Sequence, residues 1–364
     1  MRKSVVSFFV TIMAFVPIFA HGFKLDPYSQ HDQKSVNFKG SHLSNVINSA
    51  PVHEDLTLKA IAAARINSEY KSPEFLSGVI RGVRWNDDPL SYARGNAPTF
   101  YFSFVDSCDH PEEVDPSWDL LYRTHCGDMQ FLHAMASTPS ETSETTRKKI
   151  MMWLEFSFKV ASGEIDKDWR FRSLAEEYKL GPDTAQVFNE LMTNNGSTRL
   201  EWQPEWLFTL DCGRWFTWKG LFFRARLTEL TCADHNNKFT DQQIQDIALG
   251  SFLHLIQDSF SRSHVLRERS TDIEMSAVNG VGRIIQFGNY LLQDQQKHGK
   301  ADLTVSDKDL HQEFDLTDIS AKLIEWIVQQ RADHRSRWQE AKDVLDKVFE
   351  VADSSKMAGD IGYK

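Results

Sequence analysis

The stretch SFLHLIQDSFSRSH, Ser251 to His264, decides how this chain is read. Its apolar residues recur at helical spacing, with Leu249, Phe252, Ile256 and Phe260 forming one line along a helix. His254 and Asp258 lie four residues apart, so they share a helix face about 5–6 Å from one another and can reach a single ion. The apolar line runs on roughly the opposite face, so burying that line alone would turn the His/Asp face outward. Ser251, Gln257 and Ser261 surround the pair, with no lysine or glutamate before Arg262. Exposed helix faces usually carry long charged side chains, so small neutral neighbours mark a face with room for something else. His264 stands just past the helix, and zinc accepts imidazole nitrogen and carboxylate oxygen from residues that need not be adjacent.

Working outward, helical periodicity dominates the chain. It predicts helices over Glu54 to Ser68, Trp118 to Ser137, Glu144 to Ser162, Asp183 to Met192, Phe216 to Leu230, Asp241 to Ser261, Ile273 to Lys297, Leu316 to Gln330 and Ser336 to Val351. The best strand-like run is Thr99 to Val105, TFYFSFV, flanked by Pro98 and the loop holding Cys108. No fixed-period repeat or low-complexity tract interrupts this pattern. A length of 364 residues with 41% apolar content suffices for a large core. The expectation is a mainly α-helical body over residues 51–364, one domain with insertions, with Leu25 to Ser49 and Gln295 to Asp309 as the linker-like stretches.

The first twenty residues, MRKSVVSFFVTIMAFVPIFA, place Arg2 and Lys3 ahead of an apolar run and end on the small residue Ala20. That is the pattern of a secretory signal, and the apolar run is short for a membrane span. A secreted or periplasmic protein is expected, with residues 21–50 as an N-terminal extension. Cleavage would remove two of the 41 basic residues and none of the 51 acidic ones, moving the formal charge from −10 to −12. Such a balance argues against tight duplex binding by a basic face, so no stable nucleic-acid partner is expected. Four cysteines suit an exported chain. The spacing favours local pairing, Cys108 with Cys126 and Cys212 with Cys232, among the three connectivities. No CxxC spacing points to a thiolate metal site.

The segment LGSFLHLIQDSFSRSH, with His, three residues, Asp, five residues, His, resembles the central metal-binding segment of the zinc-dependent phospholipase C and single-strand nuclease superfamily. That family is exported and mostly α-helical, with a trinuclear zinc site that hydrolyses phosphate esters. Three further pieces match in the family's order. His53 in APVHEDLTLKAIAAA resembles its first histidine, Asp87 in GVRWNDDP its early aspartate, and His133 in MQFLHAMAS the histidine that follows. The final element, a histidine followed four residues later by an acid, fits His298 with Asp302 or His311 with Asp315. The first is preferred, being closer behind His264 and directly ending the predicted helix Ile273 to Lys297.

The resemblance implies two or three zinc ions. Asp87, His133, His254 and Asp258 would hold one, His264, His298 and Asp302 a second, and Asp258 would bridge to a third held with His53. Cations so placed neutralise a phosphate diester, lower the pKa of water towards 7, and stabilise the attacking and leaving oxygens. Asp87 is the candidate for orienting or deprotonating the attacking water. The family also uses its mature N-terminal residue as a chelate. Here the expected terminus, His21, lies 32 residues ahead of His53, and its amine and imidazole would have to fold back onto the site. The aromatic run from Glu201 to Arg226, with Trp202, Trp206, Phe208, Trp215, Phe216, Trp218, Phe222 and Phe223, suits a surface that dips into lipid. The expected function is a secreted phospholipase C acting at a phospholipid membrane surface. The alternatives are a single-strand nuclease or 3'-nucleotidase of the same superfamily and a non-catalytic zinc-binding protein that meets membranes.

Overall fold

The computed structural model describes residues 52–87, 120–176, 179–193, 202–209, 239–268, 281–294, 297–298, 301 and 310–364. These residues build a mainly helical fold: α1 (Val52–Ala63), α2 (Pro73–Trp85), α3 (Leu120–His125), α4 (Ser143–Ala161), α5 (Phe171–Glu176) and α6 (Pro182–Thr193) come first. α7 (Pro204–Thr209), α8 (Asp241–Asp258), a small antiparallel pair of β1 (Val265–Arg267) and β2 (Ile284–Phe287), α9 (Leu310–Asp333) and α10 (Trp338–Val348) follow.

α8 is the axis of the fold. Thr240 and Gln243 form a reciprocal capping box at its start, worth about 1 kcal/mol. From Ile247 to Asp258 every residue is buried, so polar and apolar faces alike are enclosed. The close neighbour is α2, which starts on the Ser72 cap with Pro73 in its first turn. Three glycines let the two backbones touch. A Cβ on Gly82 would fall 1.9 Å from the Ile247 carbonyl oxygen, and one on Gly250 would fall 2.1 Å from that of Val79. A Cβ on Gly78 would lie 2.7 Å from that of Asp246.

α4 lies along another side of α8, and the indole of Trp153 stacks on Trp85 at 5.6 Å. Phe156, Phe171, Phe188 and Phe208 complete this aromatic layer. α9 packs on α1 and is tied across the fold by Arg331, which donates to Asp246 at 2.6 Å and to the Ala161 carbonyl at 2.6 Å. Among the described residues no helix is long and apolar enough to cross a membrane.

Several predicted elements differ. α2 is absent from the predicted helices; Gly78 and Gly82 have low helix propensity, although Ser72 and Pro73 make a helix start. The predicted helix Glu54 to Ser68 ends early, at Ala63, and a separate 3-10 turn follows at Ser68–Lys71. The predicted helix Trp118 to Ser137 stops at His125, before the disulfide-bonded Cys126 and Gly127. The chain then makes a 3-10 turn, Gln130–His133, closed by Ala134 in the left-handed region at φ 52°. His133 therefore sits at the end of a tight turn rather than on an α-helix.

The predicted helix Ile273 to Lys297 is overturned by β2 and by the 3-10 turn Tyr290–Leu292. Ile284, Ile285 and Phe287 favour a strand, and the pairing Val265 with Phe287 satisfies their backbone. Phe208 is wholly buried beside Trp85, so its place in the aromatic run is core rather than lipid-facing. Residues 210–226 of that run, the strand-like Thr99 to Val105, the predicted helix Phe216 to Leu230, residues 1–50, and Cys108, Cys212 and Cys232 lie outside the described residues.

Candidate metal centre

His53, His125, His133, His254, His264, His298, Asp87 and Asp258 converge at one place, all buried. Each arrives on a different kind of support. His254 and Asp258 stand one turn apart on α8, with Nε2 of the first 2.9 Å from Oδ2 of the second. His53 enters from the first turn of α1, its Nε2 3.3 Å from Asp258 Oδ1. Asp87 follows the end of α2, and Asn86 beside it ties three segments together. The Asn86 amide donates to the Leu132 carbonyl at 2.9 Å, and Ser251 donates its hydroxyl to Asn86 Oδ1 at 2.6 Å. One asparagine thus fixes the neighbours of Asp87 and His133 against the turn of α8 that precedes His254.

The histidines share a pattern in their second nitrogens. His254 Nδ1 donates to the Val83 carbonyl at 2.6 Å, one of the carbonyls that the end of α2 leaves without a helical partner. His264 Nδ1 donates to the His133 carbonyl at 2.6 Å. His53 Nδ1 meets Gln257 Oε1 at 2.6 Å, and that amide is oriented by its own bond to Thr57 at 2.8 Å. His298 Nδ1 meets Gln293 Oε1, whose amide nitrogen donates to the Ser263 carbonyl at 2.7 Å. His125 Nδ1 lies 2.9 Å from the Thr124 hydroxyl. An oxygen at Nδ1 fixes the ring and directs Nε2 to act as the ligand, which is the arrangement around metal-binding imidazoles. His133 is turned the other way. Its Nδ1 lies 2.9 Å from Asp258 Oδ2, 3.3 Å from His254 Nε2 and 3.7 Å from Asp87 Oδ1.

Three trios of these residues bring a ligand atom each within 4.8 Å of one another: His53, Asp87 and His254; Asp87, His125 and His133; His133, His254 and Asp258. Neither carboxylate oxygen of Asp87, nor Nε2 of His133, has a hydrogen-bond partner, although all are buried. Buried acceptors left so are costly unless something else satisfies them. The cluster can therefore hold a metal ion, and its nitrogen and oxygen donors suit a transition cation better than calcium or magnesium.

The electrostatics agree. Burial pushes the Asp258 carboxyl up, but the imidazoles of His264, His254 and His53 outweigh it and hold Asp258 well below the usual carboxylate range. Asp87 is likewise driven up by burial and brought below its ordinary value chiefly by His254. Burial lowers the His254 imidazole, yet Asp258 and Asp87 reverse this and raise it to about 9. His133 is lowered to about 4, mostly by burial and with His125 contributing.

Most of the predicted ligands meet. His264 and His298 stack at 5.0 Å, so of the two candidate final histidines His298 stands beside the cluster. Its support is not the end of the long predicted helix but a brief helical turn in which its amide donates to the Asp294 carbonyl at 2.9 Å. His21 and Asp302 lie outside the described residues. His311 and Asp315 fall in the first turns of α9, and their side chains also lie outside them. Sequence reasoning missed His125, which the expected helix carried past unnoticed, although the neighbouring Cys126 marked a fixed point. It also missed Tyr290, whose ring lies 4.8 Å from His298 and 6.1 Å from His264.

A scan against protein-family models, a search of characterised proteins and a search of solved structures found no match to this chain.

Proposed function

We propose that the chain is a zinc-dependent phosphoric diester hydrolase of the phospholipase C type. The observation that carries this reading is the convergence of buried histidines, most with Nδ1 held by an oxygen, upon two buried aspartates. The order of His53, Asp87, His133, His254, Asp258, His264 and His298 along the chain, which resembles the zinc phospholipase C superfamily, supports it further.

Zinc, when bound, supplies the positive charge that a phosphate diester needs on its oxygens and makes water acidic enough to attack near neutral pH. The chain's own residues do the rest. Asp258, within reach of His53, His133, His254 and His264, is the common anchor of the cluster. Asp87, ionised and without a hydrogen-bond donor on either oxygen, is the group to orient or accept a proton from the attacking water. The packed walls of α2, α4 and α8 keep the cluster in a setting where charge interactions are strong.

The deciding experiment uses the full chain, stripped with a chelator and then restored with zinc. Phosphatidylcholine vesicles and single-stranded DNA are offered side by side. Zinc-restored release of phosphocholine is expected. Zinc-restored cleavage of DNA alone would move the protein to the nuclease branch, and zinc binding without turnover of either would leave a binding protein.

A further inference from the structure

One buried histidine has no counterpart among the ligands that the resemblance supplies. We propose that His125 is a protein ligand, through Nε2, to a divalent transition cation of the zinc class that it shares with Asp87 and His133. The proposal rests on reading the cluster as a zinc centre, and it adds a donor that the resemblance does not supply.

The distances around one oxygen carry it. Asp87 Oδ1 has three imidazole nitrogens about it: His133 Nδ1 at 3.7 Å, His125 Nε2 at 3.9 Å and His254 Nε2 at 4.0 Å. All three lie beyond hydrogen-bonding reach. Two donors on one tetrahedral zinc, each at 2.0–2.2 Å, stand about 3.4 Å apart. The observed spacing is within about half an ångström of ligands gathered around an ion. A histidine kept only to hold Asp87 by a hydrogen bond would sit roughly an ångström closer.

The support of His125 is built in the same way as that of the other ligands. Thr124 lies at its Nδ1, and the ring is wholly buried, 4.8 Å from the ring of His133. The end of α3 that presents it is tied down. Arg123 grips Asp128 with two bonds of 2.7 Å and donates to the Leu191 carbonyl at 3.0 Å, while Cys126 is disulfide-bonded. Fixed rings lose little freedom on binding an ion. Asp87 belongs both to this trio and to the trio with His53 and His254, so its carboxylate stands between two cation positions.

The test counts metal in the full chain. Wild type, His125→Ala and His125→Gln are loaded with zinc, dialysed and measured by plasma mass spectrometry, with far-ultraviolet circular dichroism for the fold. The same proteins loaded with cobalt(II) report ligand changes in their visible absorption. Both variants should hold one metal equivalent fewer, or bind the last equivalent at least 100-fold more weakly, and imidazole should restore it to His125→Ala. The glutamine variant keeps bulk and hydrogen bonding, so it decides the matter if the alanine variant does not fold. Full stoichiometry with an unchanged cobalt spectrum in His125→Gln overturns the proposal and leaves the rest of the centre standing. A wild-type chain that binds no zinc removes the zinc reading itself, before any substitution is compared.

Discussion

The two halves of the candidate metal centre are held by different means. His53, His254 and Asp258 stand on α1 and α8, whose positions are set by backbone packing, most tightly where Gly78, Gly82 and Gly250 let α2 and α8 touch. His125 ends the short α3, His298 stands in a brief helical turn, and His133 and His264 stand in turns, so no long helix dictates their direction. There the work falls to individual bonds: Asn86 to Leu132, His264 to the His133 carbonyl, and Gln293 between His298 and Ser263. A helix places ligands through its own repeat, whereas a turn must be tied down bond by bond.

The most severe way to break this comparison is to separate α2 from α8. Gly250→Leu would drive a side chain into the Val79 carbonyl, which lies 2.1 Å from even a Cβ, and backbone cannot move aside as a flexible side chain can. We expect a loss above about 4 kcal/mol and no stable folded protein. A well-folded Gly250→Leu chain with an unchanged thermal midpoint would show that the crossing is looser than drawn.

Asp258→Asn comes next. Its carboxylate meets histidines from both halves, so the substitution should strip most of the zinc while the helical core remains. Mass spectrometry of the metal together with circular dichroism separates the two effects. Full zinc content in Asp258→Asn removes this residue as the shared anchor.

The helix-borne half was the more legible in the sequence for the same physical reason that it is the more rigid. His254 and Asp258 announce themselves by a four-residue spacing, and the amphipathic pattern fixes the helix that carries them. His264 was visible as a histidine just past the helix, whereas His298 was reached only through resemblance, and the helix expected to end just before it proved to be a strand and a 3-10 turn. His125 escaped because apolar spacing continued past it, while the disulfide at Cys126 and Gly127 ended the helix. Ser251 and Gln257 were read as small neutral neighbours leaving room for a ligand. They instead hold the ligand shell, Ser251 through Asn86 and Gln257 through His53. Neither role has a periodicity to betray it.

Those supporting residues offer a sharper comparison. Gln257→Leu removes the oxygen at His53 Nδ1, and Gln293→Leu removes the one at His298 Nδ1. Loss of such a partner typically weakens metal binding 10–100-fold. The helix still aims His53, so Gln257→Leu should fall at the low end of that range. His298 has only a brief helical turn behind it, so Gln293→Leu should fall at the high end. Chelator competition on both variants measures this. Equal losses would mean that the long helix and the brief turn position their histidines equally well.

The smallest expected effect concerns protons. His254 has an oxygen against each nitrogen, Val83 at 2.6 Å and Asp258 at 2.9 Å, and its imidazole is raised to about 9. Because the folded value lies above the ordinary one, the stability this ring contributes is full below about pH 6.5 and is lost as pH rises through 9. His133, lowered to about 4, has the opposite sign: its contribution is full above about pH 6.5 and is lost as pH falls towards 4. A metal ion bound there would have to displace a proton from His254 but would find His133 already neutral at pH 7. Affinity for the ion that His254 holds should therefore climb by up to about tenfold per pH unit between about 6.5 and 9, with no matching contribution from His133 there. Calorimetry of zinc binding at pH 7.5, in buffers of different ionisation enthalpy, should register close to one proton released for the ion that His254 holds. If no proton is released, His254 is neutral before the metal arrives, and it does not differ from His133 in charge.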